Sequence, residues 1–291
     1  MSKTSDSAAR AAKAEADLRS AGEAGDDALD IASLALSFAV LDRPEQELGD
    51  YETHLNELVS ATGATLAKTH APERESAEPV AMALANVIAG RFSYHGDTET
   101  YDDLKNADLM AVIDRRKGLP VSLGILYLHV GRALGYDMAG LNFPGHFVLR
   151  LQTGTQATII DPFNRGQTLN TADLLNLLRS IEGPDARLTP EVYATVSTRD
   201  ILLRLQNNIL SRALKAGELD RARDVVARMI WLAPTRAGLQ FELGRLEVHA
   251  GHMGAAAHAF ETCRNMAAGE GEMRVAGMAE EALRRLKTKL N

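Results

Sequence analysis

Cysteine is nearly missing from this chain: Cys263 is the single one in 291 residues. One thiol excludes an intramolecular disulfide framework and fits a reducing compartment. Long apolar runs are missing too, since no stretch reaches the roughly 18 residues expected of a membrane helix. The apolar run Ile31 to Leu41 follows Asp26, Asp27 and Asp30, where a secretory signal would carry basic residues. It reads as a buried helix of a cytoplasmic protein without a membrane partner. A basic excess is also absent, and a formal net charge of −7 argues against nucleic acid as a partner. No His, Cys, Asp and Glu grouping has metal-ligand spacing. Gly131 and Gly135 sit in a helical pattern rather than in a strand-to-helix phosphate loop. No metal and no other cofactor is therefore expected.

What is present is a chain long enough for one large or two smaller domains. Residues 1–25 are rich in Ala, Ser and charge with one leucine, and read as a flexible tail. A helix is expected from about Asp27 to Leu41. In the next, Tyr51, Leu55, Leu58, Val59, Thr62 and Leu66 share a face, and Pro72 closes it. A third runs from about Ser76 to Ile88. Residues 92–105 are polar and turn-rich, which makes His95 a surface group of a loop. Asn106 is expected to cap a short helix through Arg116, with Asp114 to Lys117 ending on cations that complement the helix dipole.

The informative stretch is Gly118 to Asp161. Leu123 to Leu134 is an apolar run of helical length, stopped by Gly135. His146 to Leu151 alternates like a strand, and Thr158 to Ile160 is a short β-branched run, joined by the polar connection Gln152 to Gln156. The first residue of one strand lies near the last of its antiparallel partner. His146 and Asp161 are therefore expected side by side, the carboxylate orienting the imidazole. A nucleophile at the start of the preceding helix would complete a triad. By helical spacing His129 shares a face with Ser122, and reads as a partly buried histidine with a satisfied ring.

Gly118-Leu119-Pro120, Arg132-Ala133-Leu134-Gly135, Phe143 to Phe147 and Asp161 to Asn164 together resemble the core segments of transglutaminase-like proteins. With the flanking helices they resemble the bacterial "regulator of sirC expression" family, which has a transglutaminase-like (SirB-type) core and TPR domains. The resemblance implies an α+β fold: a papain-like cysteine-proteinase core with a small antiparallel sheet and N-terminal helices, then TPR-like α-helical repeats. Aligned on these segments, the family's thiol position falls on Pro120, and the nearest hydroxyl is Ser122.

Gly183-Pro184-Asp185 and Leu188-Thr189-Pro190 mark a linker, which places a core domain at 26–190 and a repeat domain at 191–291. There Gly217 matches Gly251, Ala222 matches Ala256 and Leu210 matches Gly244, each pair 34 residues apart, the tetratricopeptide period. Helix pairs are expected at about 200–216 with 219–232 and 236–250 with 253–267, capped by 271–289. Cys263 falls inside a repeat helix, where it packs rather than reacts.

Three functions follow. A core that has lost its thiol and kept its scaffold reads as a pseudoenzyme, a non-catalytic module for protein interaction or regulation that takes a protein or peptide through its repeats. Alternatively, Ser122, His146 and Asp161 act as nucleophile, base and orienter of a hydrolase or acyltransferase. In the third, His146 and Asp161 are purely structural, with Asp161 capping the Pro162 turn.

Overall fold

Ala14, Leu18 and Ala21 are spaced to share one helix face, and all three are buried, Leu18 completely. They lie on α1 (Lys3–Glu23) of the computed structural model, which describes residues 3–68, 76–269 and 273–290. The expected flexible tail over 1–25 is thus corrected. The tail reading, made from composition, fails because one leucine flanked by two alanines is enough apolar surface to seat a helix that packs closely. The expected stop at Pro72 lies outside the described residues.

The chain forms two compact units, Met1–Ala11 with Asp26–Leu205 and Ala12–Gly25 with Gln206–Asn291. The first unit runs past the expected boundary at residue 190. After the turn at Pro190 the chain returns to the first unit's sheet through Thr195 and Val196, which pair with Leu141 and Gly140.

In the first unit α2 (Ile31–Asp42) starts where Asp30 accepts the amides of Ala32 and Ser33, and it is buried on nearly every side. The expected face of α3 (Gly49–Lys68) is the buried one, through Tyr51, Leu55, Leu58 and Thr62. Helix α4 (Ala77–Ala85) runs into a π-helical turn at Asn86–Arg91. Helix α5 (Leu109–Arg115) is capped by Asp108 and not by Asn106, whose backbone is already in a preceding 3-10 turn, Leu104–Ala107. Helix α6 (Pro120–Ala133) follows, then α7 (Thr171–Glu182) and the start of α8 (Thr198–Ala216).

Two-residue strands β1 (His95–Gly96) and β2 (Lys117–Gly118) pair in parallel. The main sheet holds β3 (Asp137–Leu141), β4 (Leu149–Thr153), β5 (Gln156–Asp161), β6 (Gln167–Leu169) and β7 (Thr195–Val196). Its order is β6-β5-β4-β3-β7, antiparallel throughout. The expected pairing is present, with Leu149 opposite Ile160 and Leu151 opposite Thr158. Helix α6 is almost wholly buried. It lies close to the sheet because Gly124 and Gly140 make room for the Phe147 ring, from which a Cβ on either would stand 2.5 or 2.7 Å. Arg132 then ties the end of α6 to β3 and α8, donating to the Met138 carbonyl and the Thr198 hydroxyl, each at 3.0 Å.

The second unit continues with α9 (Leu219–Leu232), α10 (Ala237–His249), α11 (Met253–Gly269) and α12 (Met273–Leu290). Gly217 and Gly251, one repeat apart, both end a helix in the left-handed region, at φ +75° and +81°. Ala256, Phe260, Cys263, Ala279 and Leu283 form its core, and Phe260 packs directly on Gly244. Cys263 is fully buried there. The second half of α1 belongs to this unit: Gly22 lies against the Trp231 carbonyl, and the Arg19 guanidinium stands 4.8 Å over the Trp231 ring.

Candidate functional site

Asp161 closes β5 with its carboxylate almost wholly buried, and His146 Nε2 lies 2.9 Å from its Oδ1. The partnership expected from the hairpin therefore exists, although His146 is not in the strand. Pairing of β4 stops at Leu149. Pro144-Gly145 forms a turn with Gly145 at φ +62°, and the His146 amide donates to the Pro144 carbonyl at 2.7 Å. A proline and a left-handed glycine end the ladder early, which the alternating apolar pattern alone does not reveal. The His146 carbonyl instead accepts from Arg204 Nη2 at 2.6 Å. The Phe163 ring meets the imidazole edge-on, centroids 6.0 Å apart.

The Asp161 carboxylate has further donors: the amides of Phe163 and Asn164 on Oδ1, and Asn164 Nδ2 on Oδ2 at 2.7 Å. Burial works to raise its pKa. The hydrogen bond and charge of His146, with the Asn164 donors, outweigh that and hold the carboxyl below its usual range. Asp161 thus both orients a histidine and caps the Pro162 turn. With Nε2 on the carboxylate, Nδ1 is the ring nitrogen not engaged by Asp161.

Ser122 does not join this pair. Its hydroxyl is fully buried and donates to the Asn106 carbonyl at 2.7 Å and the Leu119 carbonyl at 3.0 Å. Leu119 is the N-cap of α6 and offers no side-chain cap, and Pro120 at the first turn has no N–H to give. The third-position serine therefore bonds back to the cap and to the neighbouring 3-10 turn. His129 shares no such surroundings. It is half-buried, and its Nε2 has no hydrogen-bond partner among the described residues, so the expectation of a satisfied ring is corrected.

Sequence reasoning missed Asp97, a carboxylate buried to 1% exposure inside the polar stretch 92–105. It accepts from the amides of Glu99 and Thr100 and from the Thr100 hydroxyl. Arg115 Nη2 stands 2.9 Å and Lys117 Nζ 3.2 Å from it. Burial opposes ionisation, but Thr100, Lys117 and Asn106 hold the carboxyl well below the usual range. Two of the cations assigned to the helix dipole thus clamp an acid, and the third, Arg116, bonds His54 and Tyr94. Their signal was the run of three consecutive cations, of which only Arg115 falls within α5. His95 is half-buried in β1, not a loop surface group. It lines a cavity of about 730 Å³ with Asp97, Lys117, Phe163 and Arg165, and none of Ser122, His146 and Asp161 lines that cavity. No group of His, Cys, Asp and Glu among the described residues is placed to hold a metal ion.

A model of the transglutaminase-like superfamily matches residues 49–207, which hold α6, the His146–Asp161 pair and the sheet. The chain belongs to the transglutaminase-like superfamily. A tetratricopeptide-repeat model follows it at residues 209–284. This transglutaminase-like protein is similar to a UPF0162 protein of Xylella fastidiosa, at 29% identity over 231 residues, 78% of this chain and 80% of that one. A UPF0162 protein of Pseudomonas aeruginosa is 33% identical over 199 residues, 65% of this chain and 69% of the relative. Human F-box only protein 21 is 28% identical over 191 residues, 62% of this chain and 29% of the longer protein. No solved structure matches this transglutaminase-like chain. Among the described residues no helix is long and apolar enough to cross a membrane.

Proposed function

We propose that this transglutaminase-like protein is a pseudoenzyme of the cytoplasm, a non-catalytic regulatory module that binds a protein or peptide partner through its tetratricopeptide-like helices. The observation that carries this reading is the state of Ser122. Its hydroxyl is buried and committed to two backbone carbonyls, 2.7 and 3.0 Å away, and the family's thiol position is a proline. A nucleophile must reach both its base and its substrate. Ser122 has neither exposure nor a hydrogen bond to His146 to offer. The repeat helices supply the kind of surface that takes an extended or helical peptide.

A hydrolase or acyltransferase using Ser122, His146 and Asp161 is the second reading, favoured by the 2.9 Å His146–Asp161 hydrogen bond. The two separate cleanly. The full chain is treated with fluorophosphonate and iodoacetamide probes, and partner capture from extract is compared between wild type and Ser122→Ala. No label at Ser122 and an unchanged set of captured proteins are expected. Covalent labelling that is lost in both Ser122→Ala and His146→Ala overturns the non-catalytic reading.

A further inference from the structure

Arg116 ends α5 in the left-handed region, at φ +60°, a conformation that a residue with a Cβ adopts at a cost. Its guanidinium is anchored there: it bonds His54 Nε2 and the Tyr94 hydroxyl, and stands 5.0 Å from the centroid of the Tyr94 ring. His54 on α3 and Tyr94 just before β1 are both buried, and Nε2 lies 2.8 Å from the hydroxyl. The Phe92 ring closes the imidazole edge-on, centroids 5.3 Å apart. A guanidinium can only donate, so Nε2 accepts. The neutral ring then carries its proton on Nδ1, 3.6 Å from Glu57.

That arrangement has no place for a second proton. A proton from solvent on Nε2 turns an acceptor into a donor that faces a donor, and brings two cations together. The carboxylates around the ring pull the other way: Asp50 and Glu57 on α3, Glu45 and Glu47 ahead of it, and Asp114 on α5. All five are exposed, and Asp114 is also answered by Arg43 at 3.6 Å and the Tyr51 hydroxyl at 3.2 Å. Burial and the Arg116 charge outweigh Glu57 and hold the His54 ring below its ordinary 6.5. Burial likewise pushes the Tyr94 hydroxyl up to about 12, so it stays protonated.

The same carboxylates give Arg116 somewhere else to go. Arg116 and His54 border a cavity of about 730 Å³ that these acids line. A guanidinium displaced from His54 turns into it and meets Glu57 and Asp114. What Arg116 holds is the entry to the Asp97 clamp. Its carbonyl accepts the His95 amide at 3.1 Å, and the next two residues pair with His95 and Gly96 as β2. The Asp97 amide then donates to the Gly118 carbonyl at 3.1 Å.

We propose that His54, Tyr94 and Arg116 form a pH-sensitive latch, in which neutral His54 keeps Arg116 in place and a proton on Nε2 releases it into the acidic cavity, loosening β1 from β2. A ring whose folded pKa is lowered contributes its stability above the unfolded 6.5 and loses it as pH falls through the folded value. The latch is therefore closed at neutral pH and opens in acid. It is independent of the interaction reading above, since it uses neither the repeats nor His146.

The test follows the histidine ring nitrogens of the full chain by NMR, with amide hydrogen exchange at His95 and Asp97, from about pH 7.5 down to about pH 4. At neutral pH His54 is expected as the Nδ1–H tautomer, with its midpoint below 6.5. Exchange at both amides, corrected for its intrinsic pH dependence, is expected to rise about tenfold or more through that same midpoint. His54→Gln keeps an acceptor for Arg116 without a titrating group, and is expected to abolish the rise. Because His54 is buried, Glu57→Gln at an exposed position serves as the variant that keeps its fold, checked by an unchanged thermal melt. It is expected to move the His54 midpoint and the exchange rise to lower pH together. An Nε2–H tautomer, a midpoint at or above 6.5, or exchange that ignores the His54 midpoint overturns the proposal. So does a rise that persists in His54→Gln, or one that stays in place while Glu57→Gln moves the midpoint.

Discussion

Arg204 holds His146 from the backbone side: its Nη2 donates to the His146 carbonyl at 2.6 Å while its guanidinium stands 5.4 Å over the Phe147 ring. The histidine's position is thus set from two directions, by Arg204 at the carbonyl and by Asp161 at Nε2, 2.9 Å away. Both partners act on a residue that is in no strand, which explains how it keeps its place after the ladder ends at Leu149.

Arg204→Met removes a charge-assisted hydrogen bond to a partly buried carbonyl and the stacking on Phe147. The loss is expected to be about 2 kcal/mol in urea unfolding. The imidazole resonances of His146 should broaden or move at the same time. An unchanged His146 spectrum would show that Asp161 alone positions the ring.

Acid sensitivity follows from Asp97 and Asp161, both with carboxyls held below the ordinary 3.8. A carboxyl depressed in the folded state stabilises the protein above its unfolded pKa, and that stability drains as pH falls through the folded value. The urea midpoint should therefore fall steadily from about pH 4 downward. In Asp161→Asn the midpoint is lower at pH 7 but less steep in acid. An identical pH slope in wild type and variant would remove Asp161 from this account.

The repeat register is testable at Ala222 and Ala256, one repeat apart and both fully buried. Leucine at either position overpacks the contact and is expected to cost about 1–3 kcal/mol. A thermal melt unchanged within error at both would show that these helices have room to spare.

The N-terminal helix offers the sharpest contrast with composition. Leu18 is fully buried, so Leu18→Ala is expected to cost about 3 kcal/mol, the usual range for a buried leucine. A residue in a solvated tail would cost nothing. Urea unfolding of the full chain decides between these outcomes.

The sequence by itself determined what depends on local pattern. Helix faces such as Tyr51, Leu55, Leu58 and Thr62 follow from a 3.6-residue period, and the repeat follows from glycines that recur at the same turn. The pairing of His146 with Asp161 was legible because a short hairpin leaves few registers to choose from. Tertiary structure alone decided where polar groups found their partners. Ser122 turned to a carbonyl sixteen residues earlier in the chain, Arg115 to an acid eighteen residues earlier and Arg204 to a carbonyl 58 residues earlier. A buried donor takes whichever acceptor the packed fold brings within about 3 Å, and sequence spacing does not encode that proximity. The same holds for α1: whether its apolar face is solvated or buried depends on a surface for it to meet, and in the second unit its Gly22 lies against Trp231 and Pro234, more than two hundred positions away.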